Sequence, residues 1–173
     1  MFERLLKKKA PAPDVGDPAP NFTLPALEGG EFTLSEALHR APQVIAFFKI
    51  SCSTCQFTFP FLDRLHRAYE ADPIEFRGIS QDNAENSRLF CEKFGIGFPI
   101  ALDLQPYAAS KSYVFHSVPT ILLVDRECAI RFLLTGFSKA GLIQLSEEIA
   151  RLTNRPPAPV FLPSEIVPES KPG

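Results

Sequence analysis

The sequence predicts an α/β domain: a three-layer sandwich whose central mixed β-sheet is flanked by helices and extended by an N-terminal β-hairpin. Three observations predict it. The run Gln43 to Ile50 is continuously apolar apart from Gln43 and Lys49, which suits a strand buried on both faces. Directly after it, Phe57, Phe61, Leu65 and Tyr69 recur at four-residue spacing, the mark of a helix face. Strand-like and helix-like segments then alternate as far as Leu152.

Taken in order, FTL and EFTL around Glu28-Gly29-Gly30 form the small hairpin. Gln43–Ile50 is the first long strand, and Ser53 to Ala71 the first long helix. Ile74–Ser80 is a second strand, followed by a helix over Ala84–Phe94. Pro99–Leu102 is a short extended piece, and Gln105–Tyr113 a short helix. Thr120–Val124 and Ala129–Leu134 are two strands, with Asp125-Arg126-Glu127-Cys128 reading as the hairpin turn between them. A last helix spans Lys139–Leu152, with Leu142, Leu145, Ile149 and Leu152 on one face.

Composition bounds the function. The chain has 173 residues, 45% hydrophobic and 22% charged, which suits one soluble domain. A net charge of −2 gives no positive field to hold nucleic acid, and no apolar run is long enough to span a membrane. The basic cluster Lys7 to Lys9 lacks the apolar segment of a secretory signal, so cytoplasmic residence is expected. Residues 1–15 read as a flexible segment, with a short amphipathic helix through Phe2, Leu5 and Leu6 as the other reading. Residues 16–154 are the domain, and residues 155–173 an extended tail in which six of nineteen residues are proline. Val160, Phe161, Leu162, Ile166 and Val167 make that tail too apolar for a solvated linker and suggest a strap across the domain or a contact with a neighbour. Four cysteines are too few to build a disulfide scaffold in a chain of this length. Each therefore needs its own explanation.

Cys52-Ser53-Thr54-Cys55 lies between the buried strand and the amphipathic helix. A thiol at a helix N-terminus faces unpaired N–H groups and the positive end of the dipole, which favour thiolate. Thiolate is the form that attacks a disulfide. The spacing lets Cys55 reach Cys52, so Cys52 reads as the exposed nucleophile and Cys55 as the resolving thiol. Zinc is the competing reading. A structural zinc site needs a second close pair of ligands, whereas Cys91 and Cys128 are far apart in sequence with no histidine at ligand spacing, so no metal is expected. Val118-Pro119-Thr120 precedes the fourth strand, where a cis proline would set an extended backbone beside the cysteine pair.

With these pieces in place, the chain resembles the thioredoxin superfamily, in its redoxin (AhpC/TSA-like) branch, and most of all TlpA-like thiol–disulfide oxidoreductases. The matching residues are GDPAPNFTL (Gly16 to Leu24), LSEAL, the strand entering CSTC, Pro60, FPIALD, and YVFHSVPTILLVD (Tyr113 to Asp125). The resemblance implies a thioredoxin-like redoxin fold, Cys52 as attacking thiol, Pro119 in cis, and a redox-active Cys52–Cys55 disulfide in place of any cofactor. Ser53, Thr54, Val118 and Phe98 are expected at the substrate surface; Phe57, Phe59 and Phe98 are candidates for an apolar docking rim, with core packing the expected job of at least two of them.

Three positions depart from the family pattern. Ser51 stands where tryptophan is common, Ala46 where thioredoxins have a buried acid, and Thr58 where TlpA-like relatives have glutamate. Lys49, Asp82 and His116 are then the candidates for proton transfer or for tuning the thiol. A peroxiredoxin-type thiol peroxidase is the main alternative. Its P-x-x-x-T/S-x-x-C pattern fits neither cysteine: Ile45 and Lys49 fill the slots before Cys52, and Phe48 and Cys52 those before Cys55. A redox-inactive thioredoxin-like binding module is the third reading. The expected partners are a disulfide-containing protein or a low-molecular-weight thiol, and a reductant such as a thioredoxin or glutathione system.

Overall fold

A computed structural model describes residues 10–173. The expectations for Met1 to Lys9 lie outside the described residues. In chain order the elements are β1 (Thr23–Pro25), β2 (Glu31–Thr33), α1 (Leu34–Arg40), β3 (Gln43–Phe48), α2 (Ser53–Ala68), β4 (Glu75–Ser80), α3 (Ala84–Phe94) and β5 (Ile100–Leu102). After these come α4 (Ala108–Ser112), β6 (Thr120–Val124), β7 (Ile130–Thr135), β8 (Phe137–Ser138), α5 (Lys139–Thr153) and β9 (Ser170–Lys171).

The main sheet is five-stranded in the order β5-β4-β3-β6-β7. β3 is its centre, parallel to β4 and antiparallel to β6, which makes the sheet mixed. Its side chains alternate between two cores, as the pleat requires. Val44, Ala46 and Phe48 pack with α2, α3 and α5 through Phe59, Leu62, Leu65, Phe90, Leu142, Leu145 and Ile149. Ile45 and Phe47 face the other layer, with Leu34 and Leu38 of α1, Ala109 of α4, and Phe22, Leu24 and Phe32 from the hairpin segment. Helices on both faces of a mixed sheet give the three layers expected.

The N-terminal extension covers exposed sheet edges. β1 and β2 pair antiparallel, and Leu27 N–H donates to the Ile100 carbonyl at 2.8 Å on the edge strand β5. At the opposite edge, Gly16 N–H and Ile130 N–H bond across to the Ile130 and Asp17 carbonyls. An unpaired strand edge would otherwise invite association with other chains.

Two expectations are corrected. The long helix ends at Ala68 rather than Ala71. The helix expected over Gln105–Tyr113 is only Ala108–Ser112. It starts late because the buried Asp103 carboxylate accepts from Ala109 N–H, Ser110 N–H and the Ser110 hydroxyl, capping the helix there. Pro106 upstream has no N–H to contribute and follows a cis bond from Gln105.

The proline-rich segment lies against the domain. The Tyr69 hydroxyl accepts from Ala158 N–H at 2.9 Å, and the Ser146 hydroxyl donates to the Ala158 carbonyl at 2.7 Å. Arg64 donates to the Val160 carbonyl and forms a two-pronged ion pair with Glu165. Val160 is buried, Phe161 stacks near Phe61 and Phe137, and β9 pairs with β8.

The α2 helix is fastened to the sheet by Phe59, which is fully buried with ring centroids 4.4 Å from Phe48 and 5.7 Å from Phe98. Phe59→Ala is expected to destabilise the fold by about 3–5 kcal/mol. Equilibrium chemical denaturation measures this; a loss no larger than that of a surface substitution contradicts the packing described.

Candidate active site

Sheet register brings the site together. Phe47 of β3 lies opposite Thr120 of β6, and Phe48 lies opposite Ser80 of β4. β6 runs against β3, so its start meets the end of β3. The segments after β3 (Lys49–Cys52), after β4 (Gln81–Asp82) and before β6 (Ser117–Pro119) therefore converge on one edge, though they are remote in sequence.

The Lys49–Cys52 turn is held by side chains from two elements. Ile50 N–H donates to Asp82 Oδ2 at 2.8 Å, and Gln56 Nε2 donates to the Ile50 carbonyl at 2.8 Å. Cys52 N–H donates to the Lys49 carbonyl at 3.2 Å. Cys52 is the N-cap of α2, and its Sγ accepts from Cys55 N–H at 3.1 Å. From the other side, Cys52 Sγ donates to the Val118 carbonyl at 3.4 Å. The half-buried thiol thus accepts from a backbone N–H on one side and donates to a backbone carbonyl on the other.

Cys55 is fully buried behind it. Burial, reinforced by the hydrogen bond with Cys52, pushes its thiol well above the ordinary range. The two positions at which the resemblance leads one to expect acids are neutral here. Ala46 is buried in the sheet, and the buried Thr58 turns its hydroxyl back to the Thr54 carbonyl at 2.6 Å.

The remaining expected residues divide. Val118 stands beside Cys52, and the Val118–Pro119 bond is cis. Ser53 is exposed at the first position of α2. Lys49 and His116, both exposed, line one small cavity of about 130 Å³ together with Gln81, Ser110, Phe115, Ser117 and Val118. Asp82 holds the turn in place through the Ile50 N–H. Thr54 is buried, and its hydroxyl donates to the Pro172 carbonyl at 2.6 Å, so the chain's own tail occupies it.

Phe98 is a correction. It is 3% exposed and packs among Phe59, Phe76 and His66, because its aromatic ring completes the core beneath β4 and α2. Phe59 is likewise core, so two of the three rim candidates serve core packing, as expected, and Phe57 alone is partly exposed. Among the described residues, no group of three or more His, Cys, Asp or Glu is placed to hold a metal ion.

The AhpC/TSA family model matches residues 15–133. The chain belongs to the AhpC/TSA family. The thiol-disulfide oxidoreductase ResA of Geobacillus thermodenitrificans is 30% identical over 138 residues, 78% of each chain. That of Geobacillus kaustophilus is 30% identical over 124 residues, 70% of each. Among solved structures, a putative thiol:disulfide interchange protein DsbE from Chlorobium tepidum superposes with a TM-score of 0.73 at 24% identity, over 81% of this chain and 98% of that one. That likeness shows the fold, a thioredoxin-like one.

Sequence reasoning missed two groups in this AhpC/TSA-family site. Gln56 closes the turn through its side-chain amide, and residues 168–173 reach the cysteine pair. The apolar residues of the tail signalled a strap but not its destination.

The burial of Cys55 carries a pH consequence. A raised thiol stays protonated through neutral pH, and thiolate forms only as pH climbs through the raised value. In Cys52→Ala, the Cys55 Cβ NMR shift is expected to remain that of a neutral thiol well into the alkaline range. A midpoint near the ordinary ~8.5 contradicts the buried assignment.

Proposed function

We propose that this AhpC/TSA-family protein is a thiol–disulfide oxidoreductase in which Cys52 attacks and Cys55 resolves. One observation carries the assignment of roles. Cys52 Sγ sits half-buried at the N-cap of α2 with the Cys55 N–H at 3.1 Å, while Cys55 is enclosed behind it. The outer sulfur meets the target and the inner one can reach only its neighbour.

Cys52 thiolate attacks one sulfur of a target disulfide. The target's S–S bond breaks, its second sulfur leaves as thiolate, and a mixed disulfide forms. Cys55 then loses its proton and attacks Cys52 Sγ, which forms the Cys52–Cys55 disulfide and releases the reduced target. Two electrons have passed to the target. A thioredoxin- or glutathione-type reductant restores the dithiol, and no external cofactor enters the cycle. The Cys55 N–H stabilises charge on Cys52, and Pro119 and Val118 face the incoming sulfur. Lys49 and His116 line one cavity with Val118, whose carbonyl meets Cys52 Sγ, and that shared position supports a role for them in proton transfer. Asp82 is a positioning residue.

The targets are disulfide-bearing polypeptides. A reducing compartment such as the cytoplasm, and a part in cell redox homeostasis, fit the free and partly exposed Cys128. No helix among the described residues is long and apolar enough to cross a membrane.

Peroxidase chemistry is less well supported. Lys49 stands where that motif places a hydroxyl, and the thiol of Cys91, the cysteine that follows the pair in sequence, is pushed up to about 11 by burial. It lines a separate cavity with Leu27, Arg88 and Phe98. Redox-inactive binding leaves the cap geometry at Cys52 unexplained.

Cys55→Ser is expected to accumulate a mixed disulfide with a scrambled or oxidised, disulfide-bearing test protein, mapped by mass spectrometry to Cys52. Cys52→Ser is expected to form none and to lose reductase activity. Trapping on Cys91 or Cys128 instead, or peroxide consumption that survives Cys55→Ser but not Cys52→Ser, overturns the assignment.

A further inference from the structure

The site described above is not open. Residues 168–173 lie across it, held mainly through their main chain. Lys171 pairs with Phe137 and Ser170 with Ser138 in the β8–β9 ladder. Lys139 N–H donates to the Glu169 carbonyl at 2.9 Å. The Thr54 hydroxyl, two residues past Cys52, donates to the Pro172 carbonyl at 2.6 Å.

Two glycines permit the close approach. A Cβ at Gly136, where φ is +75°, would lie 2.8 Å from the Lys171 carbonyl oxygen and 3.0 Å from Gly173 N. A Cβ at Gly173 would lie 2.7 Å from the Val118 carbonyl oxygen and 3.3 Å from Ser117 Oγ. That Val118 oxygen is the one that accepts from Cys52 Sγ. The segment therefore ends on the same backbone atom that the reactive sulfur touches. A side-chain anchor among the described residues is Lys171, whose ammonium stands 4.7 Å from the Phe57 ring centroid.

We infer that residues 168–173 occupy the cleft in which an extended target polypeptide docks, and that they gate access to Cys52. Strand addition at β8, the Thr54 hydroxyl and the Val118 carbonyl all address backbone, so the cleft suits any extended chain with a small residue beside Val118. The segment is built to be displaced. Pro168, Glu169, Ser170, Pro172 and Gly173 are exposed, and Ile166 just upstream is fully so. Further upstream the strap is anchored, by buried Val160 and by the Glu165 carboxylate. The Arg64 hydrogen bonds, with the Leu162 N–H, hold that carboxyl at about 2. The anchor is thus charged at every pH above its folded value and is lost only as pH falls through it. An anchored strap keeps the gating residues at high local concentration, so closure recurs whenever no target is bound.

The identity of the displacing target rests on the disulfide-exchange reading; the covering of Cys52 does not. The test uses the reduced full chain with Gly173→Val, which sets a branched side chain against the Val118 carbonyl, and Glu165→Ala, which releases the anchor. Ile166→Ser is the control. Modification at Cys52 is mapped by mass spectrometry with two probes: iodoacetamide, and an extended peptide whose cysteine carries a thionitrobenzoate mixed disulfide. Both variants are expected to raise the peptide rate by about tenfold or more, the factor for a cleft open less than a tenth of the time. The iodoacetamide rate is expected to rise less, and the control to match the unsubstituted chain. Unchanged peptide rates in both variants, with melting temperatures unaltered, overturn the gate. If peptide and iodoacetamide rates rise but Cys55 never closes a disulfide on Cys52, the gate stands and the proposed function fails.

Discussion

Everything at the reactive edge depends on one sulfur held between two backbone groups. Cys52 Sγ takes the Cys55 N–H on one side and gives to the Val118 carbonyl on the other. The first contact requires that a helix begin at that residue, immediately after the central strand. The second requires that an antiparallel neighbour of that strand start at the same edge. The mixed sheet supplies both, and Asp82 and Gln56 then remove the remaining freedom of the turn. A parallel β6 would begin at the opposite end of β3 and leave the sulfur without its second partner.

Most of this was legible in the sequence because it is local. The apolar run of β3, the four-residue periodicity of α2 and the hairpin at Glu28–Gly30 follow from side-chain spacing, which needs no knowledge of the rest of the chain. The contact of Cys52 with Val118 spans 66 residues, and the sequence announces it only as a backbone that a cis proline would set beside the cysteine pair. What stayed hidden were choices that long-range packing makes. Phe98 sits just before a three-residue strand, too short for any period to show whether it faces core or solvent. Thr54 looks like a surface hydroxyl until a segment 118 residues away takes its hydrogen bond. The start of α4 is decided by a buried carboxylate, Asp103, whose role no local pattern announces.

The neutral surroundings of Cys55 give the site its character. With the neutral Ala46 and Thr58 beside it, the inner thiol has water-poor surroundings that raise it and, among the described residues, no hydrogen-bonded carboxylate to receive its proton. Under the proposed cycle, such a centre engages its target at the outer sulfur, and the raised inner thiol slows the resolving step. A strap that closes over the outer sulfur is consistent with the same chemistry, since a long-lived mixed disulfide makes indiscriminate encounters expensive. The proline-rich residues serve both ends: they cannot form a competing helix, and they lay an extended chain along α2 and α5 to the cysteine pair.

The central claim is that Cys52 and Cys55 interconvert between dithiol and disulfide as one two-electron couple. A redox titration of the full chain in dithiothreitol buffers, with the thiol state of each cysteine read by alkylation and mass spectrometry, tests it most directly. The account predicts one transition in which Cys52 and Cys55 lose and regain their thiols together, while Cys91 and Cys128 remain reduced throughout. Failure of Cys52 and Cys55 to pair at any poise, or pairing of Cys52 with Cys91 or Cys128, would contradict it.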